Sequence, residues 1–294
     1  MRRHLFFTPL FFWLMVAVST VMPYQAYGDR SESQVHKPRE ENKMSSLLEL
    51  ERMLREGSWR AVELAQQLSD AAWPAIRKGA SMPDYRSRQI AMTCAGRIGG
   101  GTAGLILAQG LSDENVNVRV TAAAQLSANP PATAKAAILD TLLKSSESDI
   151  REMLALAAGY LPGKSTMDAL RSLAGGKDAF SKNTRMALAK LGDPEARKEM
   201  ISNLSAKDPH VRYETLGQLR YVDDRELSKH AKDLLWDKAS AQRIGPERNP
   251  RFRRVCDQAV DTLVYLMKLS PPFITSVETI YSDDQLLQIS QMAP

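Results

Sequence analysis

Val118-Arg119-Val120-Thr121-Ala122-Ala123-Ala124-Gln125-Leu126 reads as a short helix with an arginine near its start and small residues on one face. The same helix recurs along the chain. With Arg119 as the anchor, Arg88, Arg151, Arg212 and Arg253 are its counterparts, and Ser181 takes the slot between Arg151 and Arg212. The steps from Arg88 onward are 31, 32, 30, 31 and 41 residues. A fixed period in this range marks a solenoid, in which each repeat is one supersecondary unit.

The flanking positions keep the register. Val118, Ile150, Phe180, Val211 and Phe252 stand one residue before the anchor, with Ser87 as the exception. Ala95, Leu126, Ala158, Leu188, Leu219 and Val260 stand seven residues after it. Ile98, Leu161, Leu191, Val222 and Leu263 stand ten residues after it, with Asn129 as the exception. These offsets fall on one helical face, so each copy is expected to bury one stripe. Asp208-Pro209 and Asn249-Pro250 each read as an N-cap followed by proline in the first helical position. Asp84 and Asn115 occupy the same cap slot.

A second set of helices lies between the first. Residues 102–110, 131–144, 165–174, 194–204 and 224–236 each hold about three turns of helix-forming sequence, most of them bounded by Pro or Gly. The unit is helix, turn, helix. Leu191-Gly192-Asp193-Pro194-Glu195-Ala196, Asp208-Pro209-His210-Val211-Arg212 and the Val-Arg-x-x-Ala-Ala run at 118–123 resemble the HEAT-repeat superfamily, in particular the short repeats of bacterial HEAT-like proteins and phycobilin lyases. The resemblance covers about residues 83–268. It implies an all-α, right-handed solenoid of about six helix pairs with a helical cap at each end. It also implies that the arginines at 88, 119, 151, 212 and 253 form a structural ladder, each bonding an acid or carbonyl of the neighbouring repeat.

Outside the repeats the chain divides further. Arg2, Arg3 and His4 precede an apolar run from Leu5 to Met22, and Ala26-Tyr27-Gly28 places small residues before Asp29. Residues 1–28 read as a secretory signal peptide, which implies a periplasmic or secreted protein. An uncleaved membrane anchor is the alternative. Residues 29–43 are polar and read as a linker, 44–82 as the N-terminal helical cap, and 269–294 as the C-terminal cap. In the latter, Ile274, Val277, Ile280, Leu286, Leu287 and Ile289 are the expected apolar side. Without residues 1–28 the chain keeps 37 Lys and Arg against 34 Asp and Glu, a mild excess that gives no reason to expect a nucleic-acid partner.

Motifs for chemistry are weak. Gly99-Gly100-Gly101-Thr102-Ala103-Gly104 satisfies G-x-G-x-x-G, but the sequence before it is helical, whereas dinucleotide binding requires a strand there. The glycines read as a tight turn between helices. No two His or Cys residues have metal-site spacing, and no nucleophile elbow or phosphate loop occurs. Cys94 and Cys256 fall in the first and last repeats, too far apart for a disulfide. No catalytic residue, cofactor or metal is assigned.

The long last step marks an insertion near residues 239–249. Gln242 to Arg254 carries Arg243, Arg248, Arg251, Arg253 and Arg254 with a single Glu. Insertions in solenoids form surface loops, often on the binding face, and arginine suits interfaces and carboxylate recognition. Arg243, Arg248, Arg251 and Arg254 are therefore the expected partner-binding residues. The functional expectation is a non-catalytic exported module, a scaffold or an inhibitor or immunity-type binder. It would hold a protein partner with its concave face and this loop and insert no helix into the membrane once the signal is cleaved. A binder of anionic envelope polymer or lipid phosphate, and a lyase-type enzyme, are the alternatives.

Overall fold

The protein is described by a computed structural model covering residues 40–248 and 250–293, with side chains described from Met44 onward. The signal-peptide reading of residues 1–28 lies outside the described residues. Helix α1 spans Glu40–Arg55 and so takes in residues 40–43, which were read as linker. It is followed by α2 (Ala61–Leu68) and α3 (Trp73–Ala80). The repeats then begin. α4 (Tyr85–Ile98) pairs with α5 (Gly100–Gly110), and α6 (Val116–Ala128) with α7 (Lys135–Lys144). α8 (Ser148–Ala158) pairs with α9 (Lys164–Leu173), and α10 (Ala179–Lys190) with α11 (Pro194–Leu204). α12 (Pro209–Val222) is followed by the short α13 (Ser228–Asp233). A two-stranded antiparallel hairpin intervenes, β1 (Ser240–Ile244) with β2 (Arg251–Arg254), before α14 (Val255–Met267) and α15 (Asp283–Met292).

Helices α4, α6, α8, α10, α12 and α14 stack on one another in sequence order, with each second-set helix packed against the first-set helix that follows it. The first set forms the core of the row because it is covered on more than one side. Ala122, Ala123 and Leu126 of α6, and the whole of Met153–Ala158 in α8, are buried. Small residues at these positions let neighbouring helices approach closely. The expected glycine turn is present: Gly99, at φ 78°, ends α4 and starts α5. Gly104 packs so tightly that a Cβ there would lie 2.1 Å from Thr133 Oγ1.

Capping defines the true register. Asp84, Asn115, Asp178 and Asp208 each accept a main-chain N–H of the helix they start, and Glu147 stands at the same place before α8. Each of these helices has its anchor four residues after the cap, at Arg88, Arg119, Arg151 and Arg212. In α10 that position is Lys182, not Ser181, so the repeat read from Ser181 is shifted by one residue. Ser181 is instead the buried residue before the anchor, and its N–H bonds Asp178 at 2.8 Å, as that of Ser87 bonds Asp84 at 2.9 Å. Phe180, buried one position earlier, imitates the apolar residue of that slot.

The ladder is a recurring grip on a carboxylate and two main-chain carbonyls in three repeats, bidentate on the carboxylate in two of them. Arg88 donates Nε and Nη2 to Asp113 at 2.8 and 2.9 Å, while its Nη1 reaches the carbonyls of Met82 and Pro83. Arg119 does the same with Glu147, at 2.9 and 2.7 Å, and with the carbonyls of Asp113 and Glu114. Arg212 holds Asp237 at 2.7 Å and the carbonyls of Ala206 and Lys207. The fork of a guanidinium is shaped for this double role. Two repeats vary the theme. Arg151 lies over the Phe180 ring at 4.0 Å and donates to Leu142 O at 3.3 Å, and Lys182 pairs with Glu214 at 2.7 Å. Arg253, the fifth expected rung, is not on a helix at all. It sits on β2, one residue before the cap of α14.

The ends also differ from expectation. The N-terminal cap contains a third helix, α3, which packs between α1 and α4. At the other end only α15 is helical, and only Leu286 and Ile289 of its expected apolar residues are buried. Ile274 is 86% exposed, and Val277, Ile280 and Leu287 are also exposed. Residues 271–282 form a strap fixed by polar bonds and by the rings of Phe273 and Tyr281, which lie 5.7 Å apart and pack on the core, while Ile274, Val277 and Ile280 face outward.

Candidate functional site

The insertion is a hairpin because two kinds of support reach it. One is its own pairing: Ser240 faces Arg254, Gln242 faces Arg253, Arg243 faces Phe252 and Ile244 faces Arg251, with an irregularity between Ser240 and Gln242. The other is a buried polar cluster beneath β2. Arg253 has 0% relative exposure. It donates to Asp261 at 2.7 Å, to the carbonyls of Val277 and Thr279 at 3.0 and 3.1 Å, and to the Tyr213 hydroxyl at 3.3 Å. The Tyr281 hydroxyl donates to the other oxygen of Asp261 at 2.6 Å, and the Tyr281 N–H donates to Asp257 at 3.0 Å. Burial pushes the Asp261 carboxyl up against the pull of Arg253. Burial works most strongly against the charge of Arg253, but Asp261 together with Tyr213 and Tyr281 outweighs it and raises the guanidinium pKa. The cluster ties hairpin, strap and α14 into one unit.

Arg254 belongs to this cluster and not to the surface. Its N–H and guanidinium both bond Asp257, at 2.8 and 2.7 Å, and Nη2 also reaches Tyr281 O. The Arg254–Asp257 hydrogen bonds hold its guanidinium above the usual range. Its side chain is 19% exposed. Arg254 is therefore removed from the expected partner-binding set: it caps α14 through Asp257. The expected cap at Asn249-Pro250 also fails. Asn249 lies outside the described residues, and the helix begins at Val255, with residues 251–254 extended.

Three of the expected residues remain together and free. Arg243, Arg248 and Arg251 are exposed on the hairpin, and none of them is in an ion pair among the described residues. The one acid beside them, Glu247, meets Arg243 only through its carbonyl, at 3.4 Å. Phe252 joins them. It was expected to be buried before the anchor, but it is 49% exposed on β2 opposite Arg243. An exposed aromatic among unpaired arginines has the composition of a protein contact. The signal that could have found it is strand alternation: with Arg253 turned inward, Phe252 must turn outward.

Other clusters are internally satisfied. A cleft of about 150 Å³ between α10, α11 and α12 is lined by Lys182, Arg185, Glu199 and Glu214. There Lys182 pairs with Glu214 at 2.7 Å and Arg185 with Glu199 at 3.0 Å, so no cation is left over for a ligand. The Lys190 ammonium lies over the rings of Tyr160 and Tyr221, at 4.4 and 5.2 Å, and donates to Tyr221 O. Burial lowers its pKa. Cys94 and Cys256 are both free and buried, and burial pushes the Cys94 thiol up to about 12 and the Cys256 thiol to about 11. Among the described residues no group of His, Cys, Asp and Glu is arranged to hold a metal, and no helix is long and apolar enough to cross a membrane.

No protein-family model matches the sequence, and no curated protein matches it. Solved structures do. The complex of CpcE and CpcF of phycocyanin lyase from Nostoc sp. PCC7120 is similar over 92% of this chain and 100% of that chain, with a TM-score of 0.51 at 15% identity. A HEAT-like repeats protein from the archaeon Thermococcus onnurineus NA1 covers 76% of this chain with 97% of its own, at a TM-score of 0.45 and 16% identity. These likenesses concern the fold alone. Together with the stacked helix pairs, the likeness to the CpcE–CpcF complex shows that the chain has an all-α solenoid fold.

Proposed function

We propose that this protein is an exported, non-catalytic binding module that holds a protein partner against its basic hairpin and the concave side of the repeat row. One observation carries the reading. The hairpin interrupts an otherwise regular row and presents Arg243, Arg248 and Arg251 unpaired, while Arg253 and Arg254 beneath it are committed to Asp261 and Asp257. Packing needs only the inner two. A rigid mount for the outer three lowers the ordering cost of binding, which favours affinity. The lyase alternative has only the likeness of fold to the CpcE–CpcF complex behind it, and at 15% identity that likeness extends to no residue of this chain.

The test uses the tagged chain expressed with its own N-terminus. N-terminal sequencing of envelope material should begin near Asp29, and retention of Phe6 to Trp13 would make residues 1–28 an anchor. A partner captured from that fraction is then titrated against wild type and R243A/R248A/R251A. Exposed arginines contribute little to folding, within about ±0.5 kcal/mol each, so the triple variant should melt like wild type. Binding should fall at least tenfold, with a smaller difference at high salt, where the attraction is screened. Unchanged affinity would move the contact off the hairpin. A partner that is glycan or lipid alone would favour the anionic-polymer alternative.

A further inference from the structure

We propose that the C-terminal ends of the first-set helices form an anion site on the concave side of the row, which takes the carboxylates of an acidic segment of the protein partner. The inference rests on the binding reading above and deepens it with a second contact. Tyr221 of α12 marks the concave side: its hydroxyl donates to Leu156 O of α8 at 2.5 Å, past α10. Packed helices stand about 8–10 Å apart, so two steps of a straight row would put α8 beyond a tyrosine's reach. The row therefore bends toward this side. Four successive first-set helices end there. Tyr160 follows α8, Lys190 closes α10, Arg220 and Tyr221 lie in the last turn of α12, and Tyr265 and Lys268 end α14.

The three cations of this cluster are held by neutral groups. Lys190 is half-buried, and its ammonium donates to Tyr221 O at 2.8 Å beneath the rings of Tyr160 and Tyr221. Arg220 stands 5.1 Å and Lys268 4.2 Å from the centre of the Tyr265 ring. Arg220 Nε is buried without a hydrogen-bond partner. Neighbouring acids are committed elsewhere, Asp224 to Arg197 and Asp261 to Arg253, both at 2.7 Å. A carbonyl or a ring suits a donor's geometry but leaves its charge uncompensated, and charges withdrawn from water are normally paired. The Tyr160 and Tyr265 hydroxyls make no hydrogen bond among the described residues. Burial raises the pKa of both, so they remain donors.

Charge selects the occupant. Asp223 is exposed on the left-handed C-cap of α12, at φ 56°. Its charge acts on Lys190, Tyr160 and Tyr265 alike, which gathers these groups around one point. Asp223 offsets one of three positive charges and is the internal rival of any incoming carboxylate. Each of the two outer rings already has a cation over it, so the site offers charge and hydroxyl donors ahead of a bare ring for stacking. The cations come from three successive helices, about 8–10 Å per step. An extended chain advances about 3.3 Å per residue, so acids spaced along a peptide meet them in turn, where a single small anion would meet one.

The probe is an end-capped glutamate hexapeptide, titrated into the full chain at low salt and read by acetic anhydride labelling. Bound peptide should slow acetylation of Lys190 and Lys268 at least about threefold and leave Lys144, 75% exposed on α7, unchanged. R220M/K268M should weaken the peptide about tenfold with an unchanged melt, D223N should tighten it, and R243A/R248A/R251A should keep it within about twofold. The labelling needs no substitution, so it decides even where a variant fails to fold. Unaltered labelling of both lysines overturns the site, as does R220M/K268M binding the peptide like wild type. Protection by phosphatidylglycerol vesicles and not by the peptide would give the site to lipid and overturn it as well. If R243A/R248A/R251A loses the captured partner while that partner leaves both lysines unprotected, the hairpin reading stands and this one falls. If neither R243A/R248A/R251A nor R220M/K268M weakens the partner, both fall.

Discussion

Replacing Arg253 by methionine should release the hairpin and strap from the last repeat while leaving the rest of the row folded. Methionine keeps much of the aliphatic bulk and removes every donor. Asp261, only 7% exposed, would lose its ion pair at 2.7 Å and keep the Tyr281 hydroxyl, while Val277 O and Thr279 O would lose their shared donor. Breaking a buried pair by removing one partner costs about 3–5 kcal/mol, mostly because the other charge stays buried. That is a large part of the roughly 5–15 kcal/mol that holds a domain folded. In a solenoid, however, each unit answers mainly to its neighbours, so the loss should be local. Amide exchange should accelerate across residues 251–293 and remain nearly unchanged in α4 to α8. The double variant R253M/D261L removes both charges and should recover most of the loss. A pH titration adds an independent readout. Burial already raises the Asp261 pKa, and without Arg253 it rises further above the unfolded value of about 3.9. A group raised on folding favours the protonated native state, so the deficit of R253M should shrink as the pH is lowered from neutral. A cost below about 1 kcal/mol, or a double variant no better than the single, would refute the clamp.

Three further outcomes test the row itself. Arg119 holds the Glu147 carboxyl below its usual range through its hydrogen bonds, against a smaller opposing effect of burial. That contribution is present above the unfolded pKa of about 4.3 and lost as pH falls through the depressed folded value. E147Q should therefore lose less stability than wild type on acidification below about pH 4.3, and parallel acid-unfolding curves would count against the grip. Leu188→Ala, at a buried site in α10, should cost about 2–5 kcal/mol in urea unfolding, and a cost under about 0.5 would contradict its burial. At Gly159 an added Cβ would stand 2.1 Å from the Tyr221 hydroxyl, which bonds Leu156 O at 2.5 Å. G159A should thus cost about 1–3 kcal/mol in a thermal melt, and with Y221F in the background the further loss should be smaller; simple additivity would refute the clash.

The repeat row was legible because its rules are local. A cap residue, an arginine four positions later and a breaker between helices all lie within one unit, so Asp84–Arg88, Asn115–Arg119 and Asp208–Arg212 announce themselves. The one-residue slip at Ser181 arose where two local rules conflicted, with Phe180 imitating the apolar slot while Asp178 set the cap. The hairpin was not legible for the opposite reason. Ser240–Ile244 and Arg251–Arg254 have little intrinsic strand character, and Asn249-Pro250 imitates a helix start. What makes Arg251–Arg254 a strand is the reach of Arg253 to Asp261, Val277 and Thr279, contacts formed with residues the local pattern does not include. β-structure generally depends on such context more than helix does.

The same dependence separates four fates of arginine in the repeats and the hairpin. An arginine is a rung where the turn ahead of the next first-set helix offers a carboxylate: Asp113 for Arg88, Glu147 for Arg119 and Asp237 for Arg212. It is a clamp where α14 turns a carboxylate toward it, as Asp261 does for Arg253 and Asp257 for Arg254. Arg151 bonds no carboxylate: Asp178, at the corresponding cap, accepts the Ser181 N–H, and the guanidinium lies over Phe180. Arg243, Arg248 and Arg251 have no such carboxylate and no ring above or below them among the described residues. An unpaired guanidinium in water costs nothing to keep, so their exposure alone would carry little meaning. Their meaning comes from position: they stand on and around a hairpin whose second strand is fixed to the interior by Arg253 and Arg254. A surface that is charged, ordered and open at once is favourable only to a partner that brings the missing carboxylates with it.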